Sequence, residues 1–182
     1  YFNQPEETEK VLKDGWLWSG DKGYLDENNH LIMIDRFGEV MRLSGGGEFS
    51  PQFIENKLKF SMYINEAIVI GHEKDYVAAL IQINMNTVGK WAEDHSLTYT
   101  TFSDIAQKRE VYELIKSEVD RANLGLPEIA RVKRFVLLQK VLDAEGGELT
   151  QTQKMRRSFV IKKYKQEIEQ LYALVDQSGI NP

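Results

Sequence analysis

The sequence predicts an α+β domain, a small mixed sheet packed by helices. Three observations carry that reading. The apolar runs Ala67–Gly71 and Val77–Ile83 have the length of strands and flank Glu73-Lys74-Asp75, a turn-forming triplet. Helical spacing appears in two stretches. Phe102–Arg121 has apolar residues at Ile105, Val111, Leu114, Ile115 and Val119, and Thr152–Leu174 has Met155, Phe159, Tyr164, Ile168 and Leu171 on its inward face. Helical and strand signals alternate, with no internal repeat and no low-complexity segment.

Along the chain, Tyr24–Asp26 and His30–Ile34 read as two short strands about the turn-rich Asp26-Glu27-Asn28-Asn29. Val40–Leu43 reads as a further strand and Ser44–Gly47 as a loop. Ser50-Pro51 has the form of an N-cap followed by proline at the first helical position, with Ile54, Leu58 and Phe60 on one face. Asn86–His95 reads as a helix and Val132–Leu138 as a strand. A boundary falls near Asp35–Gly38, where an apolar strand ends in charged residues and a glycine. The alternative there is a simple turn within one domain.

The 182 residues suffice for one good-sized domain, or a domain plus a remnant of another. With 42% apolar residues, disorder is excluded as the main state. A net charge of −5 speaks against nucleic acid as a partner. The absence of cysteine excludes disulfides and thiolate metal sites and fits a reducing cytosol, so the expected location is the cytoplasm. The chain opens on Tyr1-Phe2-Asn3-Gln4-Pro5 without Met, which reads as a cut through a longer polypeptide.

Several residues are candidates for chemistry. Asp21 follows Gly20 beyond an aromatic stretch, and a loop carboxylate can accept two hydrogen bonds from the vicinal hydroxyls of a ribose. The alternative is a turn aspartate that caps its own backbone. Arg36, at the end of a strand, suits a ribose or phosphate, or else a surface ion pair. Ser44-Gly45-Gly46-Gly47 lacks the lysine and spacing of a phosphate loop, so its glycines are read as permitting close approach of a ligand or another domain. Thr152–Lys165 carries Lys154, Arg156, Arg157, Lys162, Lys163 and Lys165 with no acidic residue. Cations at a helix start oppose the macrodipole, which points to an anionic partner: phosphate, CoA or an acidic surface. That run also leaves open a peripheral contact with the inner face of a membrane. His30, His72 and His95 are scattered, and no metal site is expected.

Taken in order, these segments resemble the adenylate-forming family, in particular its long-chain fatty acyl-CoA synthetase branch. Tyr1–Thr8 resembles the stretch before the family's ribose-binding motif. Gly15-Trp16-Leu17-Trp18-Ser19-Gly20-Asp21 resembles GWLxTGD, with Ser19 where threonine is usual. Tyr24-Leu25-Asp26 and the strand to Asp35-Arg36 resemble GYLDEDGYLxIxDR. Ser44-Gly45-Gly46 and Ser50-Pro51-Gln52-Phe53-Ile54-Glu55-Asn56 resemble SGG…SPxxIEN. Gly147–Arg157 resembles GELTPTLKxxR. Three departures stand out: Gln151 for proline, Phe37-Gly38-Glu39 for Lys-Lys-Asp, and Gly47-Glu48 for Lys-Asn.

The resemblance implies a division at residue 36. Residues 1–36 would be a hairpin-containing remnant of a large N-terminal AMP-binding domain, and 37–182 a C-terminal swivelling domain. It implies a ligase that joins fatty acid and CoA at the expense of ATP, with Mg2+, and a chain inactive without its own N-terminal domain. Asp21 and Arg36 would hold the ATP ribose, and Gly38 would be the hinge. Gly45 and Gly46 would line the pantetheine path of CoA, and Lys154 would act in adenylation. Alternatives are a fatty acyl-AMP ligase or carrier-protein-dependent adenylation domain, and a non-catalytic interaction domain.

Overall fold

The computed structural model describes residues 5–36, 40–152 and 154–173. A short helix α1 (Pro5–Val11) leads into the hairpin β1 (Leu12–Lys13) and β2 (Trp16–Leu17). Asp14 and Gly15 form its turn, both with positive φ, the backbone that two-residue hairpins require. A second hairpin pairs β3 (Asp21–Leu25) with β4 (Leu31–Arg36). Its turn is tied by Asp26, whose Oδ1 accepts from the backbone N–H of Asn28 and of His30, each at 2.8 Å. No described side chain up to Ile32 is buried, and Trp16 is 76% exposed.

The core begins after residue 40. β5 (Met41–Arg42) and β6 (Glu48–Phe49) form a small hairpin around the glycine loop. The strand expected over Val40–Leu43 is therefore only two residues long. Helix α2 (Pro51–Lys59) starts as predicted: Ser50 Oγ accepts from Phe53 N at 3.1 Å, with Pro51 in the first turn. Its buried stripe is Pro51, Ile54, Glu55 and Leu58. Phe60, expected on that face, is 85% exposed, because the helix ends at Lys59 and Phe60 is its C-cap.

β7 (Ile64–Ile70) and β8 (Val77–Ile83) are antiparallel, and β9 (Val132–Leu137) pairs with β8 in parallel. The order β7-β8-β9 is the mixed sheet the sequence predicts. All seven residues of β8 are buried, as befits a central strand covered on both faces. The faces follow the two-residue alternation of a strand. Ala67, Val69, Ala79 and Ile81 join a core with Ile54, Leu58, Val111 and Ile115. Ile68, Ile70, Ala78 and Leu80 join a second with Leu142, Val160, Tyr164 and Ile168.

The parallel connection from β8 to β9 runs through α3 (Met85–Asp94), α4 (Phe102–Ala106) and α5 (Arg109–Leu124), then a 3-10 turn at Glu128–Ala130. The single helix expected over Phe102–Arg121 is broken at Gln107-Lys108. Val111, Ile115 and Val119 recur every four residues, but Ile105 lies six before Val111 and is out of phase with them. The break lets all four be buried. The final helix is also shorter than expected. It starts at Arg157 as α6 (Arg157–Lys163), turns at Tyr164, and continues as α7 (Lys165–Ala173). Leu174 lies outside the described residues.

Candidate active-site arm and its groove

Where a helix is expected from Thr152, residues 148–152 and 154–156 instead form a hairpin arm. Leu149 and Met155 are antiparallel bridge partners. Thr150 N donates to Lys154 O, and Arg156 N to Glu148 O, both at 2.8 Å. Threonine side chains compete for local backbone groups, and here Thr150 Oγ1 accepts from Lys154 N at 3.0 Å and lies 3.0 Å from Thr152 Oγ1. Those contacts hold a tip in which Gln151 stands where the family pattern has proline. Lys154 is exposed on the returning strand, and among the described residues no hydrogen bond or ion pair engages its ammonium. Gln153 lies outside the described residues.

Both strands of the arm are tethered at the base by buried carboxylates. On the returning side, Arg157 Nη2 donates to Glu55 Oε1 at 2.6 Å and Oε2 at 2.7 Å, and Nη1 donates to Val69 O at 2.9 Å. Val69 N completes the set by donating to Glu55 Oε1 at 2.7 Å. Burial raises the Glu55 pKa above the ordinary carboxylate value, and the Arg157 charge offsets only part of that. On the outgoing side, Glu148 is fully buried. Its Oε1 receives Lys163 Nζ at 2.6 Å and Lys140 Nζ at 3.0 Å. Burial opposes ionisation of Glu148, but the two ammonium groups outweigh it and hold the carboxyl down at about 2.

Lys154 stands at the rim of a groove of about 830 Å3, whose walls include Met41, Gln52, Asn56, His72, Met155 and Arg157. Of the cations there, Arg157 is paired with Glu55, and Lys59 with Glu66 at 2.8 Å. The arrangement presents one uncommitted ammonium on a two-stranded support, suited to neutralising charge on an anion brought against this face.

The other predicted residues lie elsewhere. Asp21 and Arg36 are direct cross-strand partners in the β3–β4 ladder, so the fold brings the two ribose candidates together. Gly38 lies outside the described residues. Gly45 and Gly46 sit at the exposed tip of the β5–β6 hairpin, outside the groove. Gly46 has φ +88°, which favours glycine, whereas a β-carbon at Gly45 would meet nothing within 4 Å. At Gly47 a β-carbon would overlap the exposed Ile129 side chain, which would have to move to make room. Ser44 Oγ donates to Asp75 Oδ1 at 2.6 Å and fixes the loop on the β7–β8 turn.

A model of the AMP-binding enzyme C-terminal domain matches residues 39–176. The chain belongs to that family. A long-chain-fatty-acid–CoA ligase of Mycobacterium tuberculosis, FadD15, is 30% identical over 173 residues, which cover 94% of this chain and 29% of that protein. The mouse ligase ACSBG2 is 31% identical over 191 residues, again covering 94% of this chain and 29% of the relative. The chain thus spans less than a third of these relatives' length. Among solved structures, the A domain of the Segniliparus rugosus carboxylic acid reductase, in complex with AMP and a carboxylic acid, overlays with a TM-score of 0.69. Identity is 20%, over 96% of this chain and 26% of that one, so the likeness concerns the adenylate-forming fold.

Within this AMP-binding C-terminal domain, sequence reasoning missed the two tethers. A signal for Glu55 was present, since residues 51, 54, 55 and 58 trace one helical stripe and Glu55 falls inside it. Glu148 had no comparable sign, because it lies in a bend outside any periodic element.

Proposed function

We propose that this chain acts as the C-terminal swivelling part of an acyl-CoA synthetase that takes a long-chain fatty acid, ATP and CoA to acyl-CoA, AMP and pyrophosphate. The observation that carries this reading is Lys154, an exposed and unengaged ammonium on a doubly tethered arm, in a family whose relatives at about 30% identity are long-chain-fatty-acid–CoA ligases. In the first half-reaction a carboxylate oxygen attacks the α-phosphorus of ATP and pyrophosphate leaves. Lys154 would sit against the carboxylate and α-phosphoryl oxygens, where negative charge accumulates. In the second, the CoA thiol displaces AMP from the acyl group. Rotation about Gly38, with residues 1–36 remaining on the larger domain, would then replace Lys154 by the Ser44–Gly47 loop.

Asp21 and Arg36, opposite each other in β3–β4, would receive the ribose of ATP on the non-swivelling side. Mg2+ would travel on the phosphates, where it shares the neutralising role of Lys154. Among the described residues no group of three His, Cys, Asp or Glu could hold it. The exposed Trp16, Leu17 and Trp18 would pack on the protein's own N-terminal domain. The proposed location is the cytoplasm, on the absence of cysteine from the chain.

The test is product analysis with the intact polypeptide that contains this chain. Acyl-CoA from fatty acid, ATP and CoA is expected, with no acyl-CoA from the 182-residue chain alone. Acyl transfer only to a carrier protein would replace this reading with that of a carrier-dependent adenylation domain. No adenylate at all would favour a non-catalytic interaction domain.

A further inference from the structure

We infer that Glu148, clamped by Lys140 and Lys163, is a positioning residue that sets where the arm presents Lys154. The inference rests on the reading of Lys154 as the adenylation lysine. Glu148 opens the arm's outgoing strand, and its own carbonyl oxygen accepts from Arg156 N across the ladder. Its side chain is turned inward and is 0% exposed, the reverse of Lys154. The two lysines reach it from separate elements, Lys163 from the last turn of α6 and Lys140 from the segment after β9.

The surrounding backbone is shaped around this carboxylate. At Gly146 any β-carbon would overlap Glu148 Oε2, so glycine makes the room that the acid occupies. Gly147 has φ +83° and turns the chain into the arm. Lys163 Nζ also donates to Gly146 O at 3.1 Å, so the same cation holds both the acid and the turn before it. Lys140 is shared with Asp143 at 3.3 Å.

A purely stabilising role explains this cluster poorly. Glu148 Oε2 and the neighbouring Tyr164 hydroxyl are both buried without a hydrogen-bond partner among the described residues. Apolar residues of similar volume often supply as much stability as a whole buried ion pair, although removing one partner from an existing pair is costly. What it supplies is a fixed point. At about 3.4 Å per strand residue, Lys154, paired across from Thr150, stands about 7 Å out from Glu148. A tilt of about 10° at the base therefore moves Lys154 by about 1 Å, a displacement that can cost about 100-fold in rate.

The experiment uses the intact polypeptide. Pyrophosphate exchange reads adenylation, thioester formation from supplied acyl-AMP and CoA reads the second step, and hydrogen exchange reads the arm. Glu148→Gln is expected to lower the adenylation kcat about 10- to 100-fold, with KM for ATP and the second step within about threefold. Exchange should quicken at amides 148–156 and not in β7 or β8. Gly146→Ala, which crowds the carboxylate without changing charge, should follow the same pattern. If Glu148→Gln does not fold, Lys163→Gln leaves Lys140 in place and should lower adenylation about 3- to 10-fold, with Lys163→Arg restoring it.

Lys154→Ala is run alongside. If it loses adenylation while Glu148→Gln and Gly146→Ala keep it, the positioning role is overturned and the reading of Lys154 stands. If the Glu148 variants slow both steps equally, the role is structural and the inference is wrong. If Lys154→Ala leaves adenylation intact, the reading of Lys154 falls and the inference falls with it.

Discussion

Replacing Arg157 by methionine removes three charge-assisted hydrogen bonds at once, two to Glu55 and one to Val69 O. It leaves a Glu55 carboxylate, 11% exposed, to which Val69 N still donates. Breaking a buried pair in this way typically costs about 3–5 kcal/mol. The Arg157 side chain is 29% exposed, so some water can reach the orphaned acid and the lower end applies, about 3 kcal/mol. Urea unfolding of this chain, followed by circular dichroism, should show the midpoint lowered by about 1.5 M at a slope of about 2 kcal/mol per M. The loss should shrink in acid. Glu55 already has a raised pKa from burial, and losing Arg157 raises it further, so the variant protonates earlier than the parent and escapes its penalty as pH falls. Glu55→Gln combined with Arg157→Met should be more stable at pH 8 than Arg157→Met alone. A midpoint within about 0.3 M of the parent chain, or a loss that grows in acid, would refute the reasoning.

Three further outcomes are expected. Glu148 has a folded pKa of about 2, below the ordinary carboxylate value of 4.5, so its ionised form stabilises the fold above about pH 4.5. The stability difference between the parent chain and Glu148→Gln, about 2–3 kcal/mol at pH 7 after allowing for half-exposed lysine partners, should fade as pH drops from 4.5 toward 2 in urea titrations. Ser50→Ala should cost about 1 kcal/mol through loss of the α2 cap, read as a lower thermal midpoint. Gly45→Leu should leave stability and adenylation near normal, because a β-carbon there meets nothing in the domain, while thioester formation is lost to steric block of the pantetheine path; normal thioester formation would remove Gly45 from that path.

The fold was legible wherever local chemistry and packing agreed. The strand-length apolar runs Ala67–Gly71 and Val77–Ile83 about a turn showed the sheet, and Ser50-Pro51 marked the start of α2. The reading failed where tertiary demands overrode a local pattern. The run from Thr152 read as helix because its apolar residues recur at helical spacing, yet Thr150 and the Leu149–Met155 bridge draw residues 148–152 and 154–156 into an arm. Phe102–Arg121 read as one helix until the phase of Ile105 against Val111 forced a break. For the candidate site, Lys154, Asp21 and Arg36 were named from residue chemistry and motif order, and the ladder register then set the latter two opposite each other. The tethers were not legible, because Glu55 and Lys163 are far from their partners in sequence and only the packed sheet brings them near.

The central claim is that this domain lends Lys154 to one half-reaction and withdraws it for the other. The most direct measurement is Lys154→Ala in the intact polypeptide, with pyrophosphate exchange and thioester formation from supplied acyl-AMP measured on the same preparation. The account predicts a loss of about 10²- to 10³-fold in the first, the scale of one preorganised electrostatic contact, and a second step within about twofold of the parent. Equal slowing of both steps would contradict it, and would mean that Lys154 stays with the substrate throughout or serves only the fold.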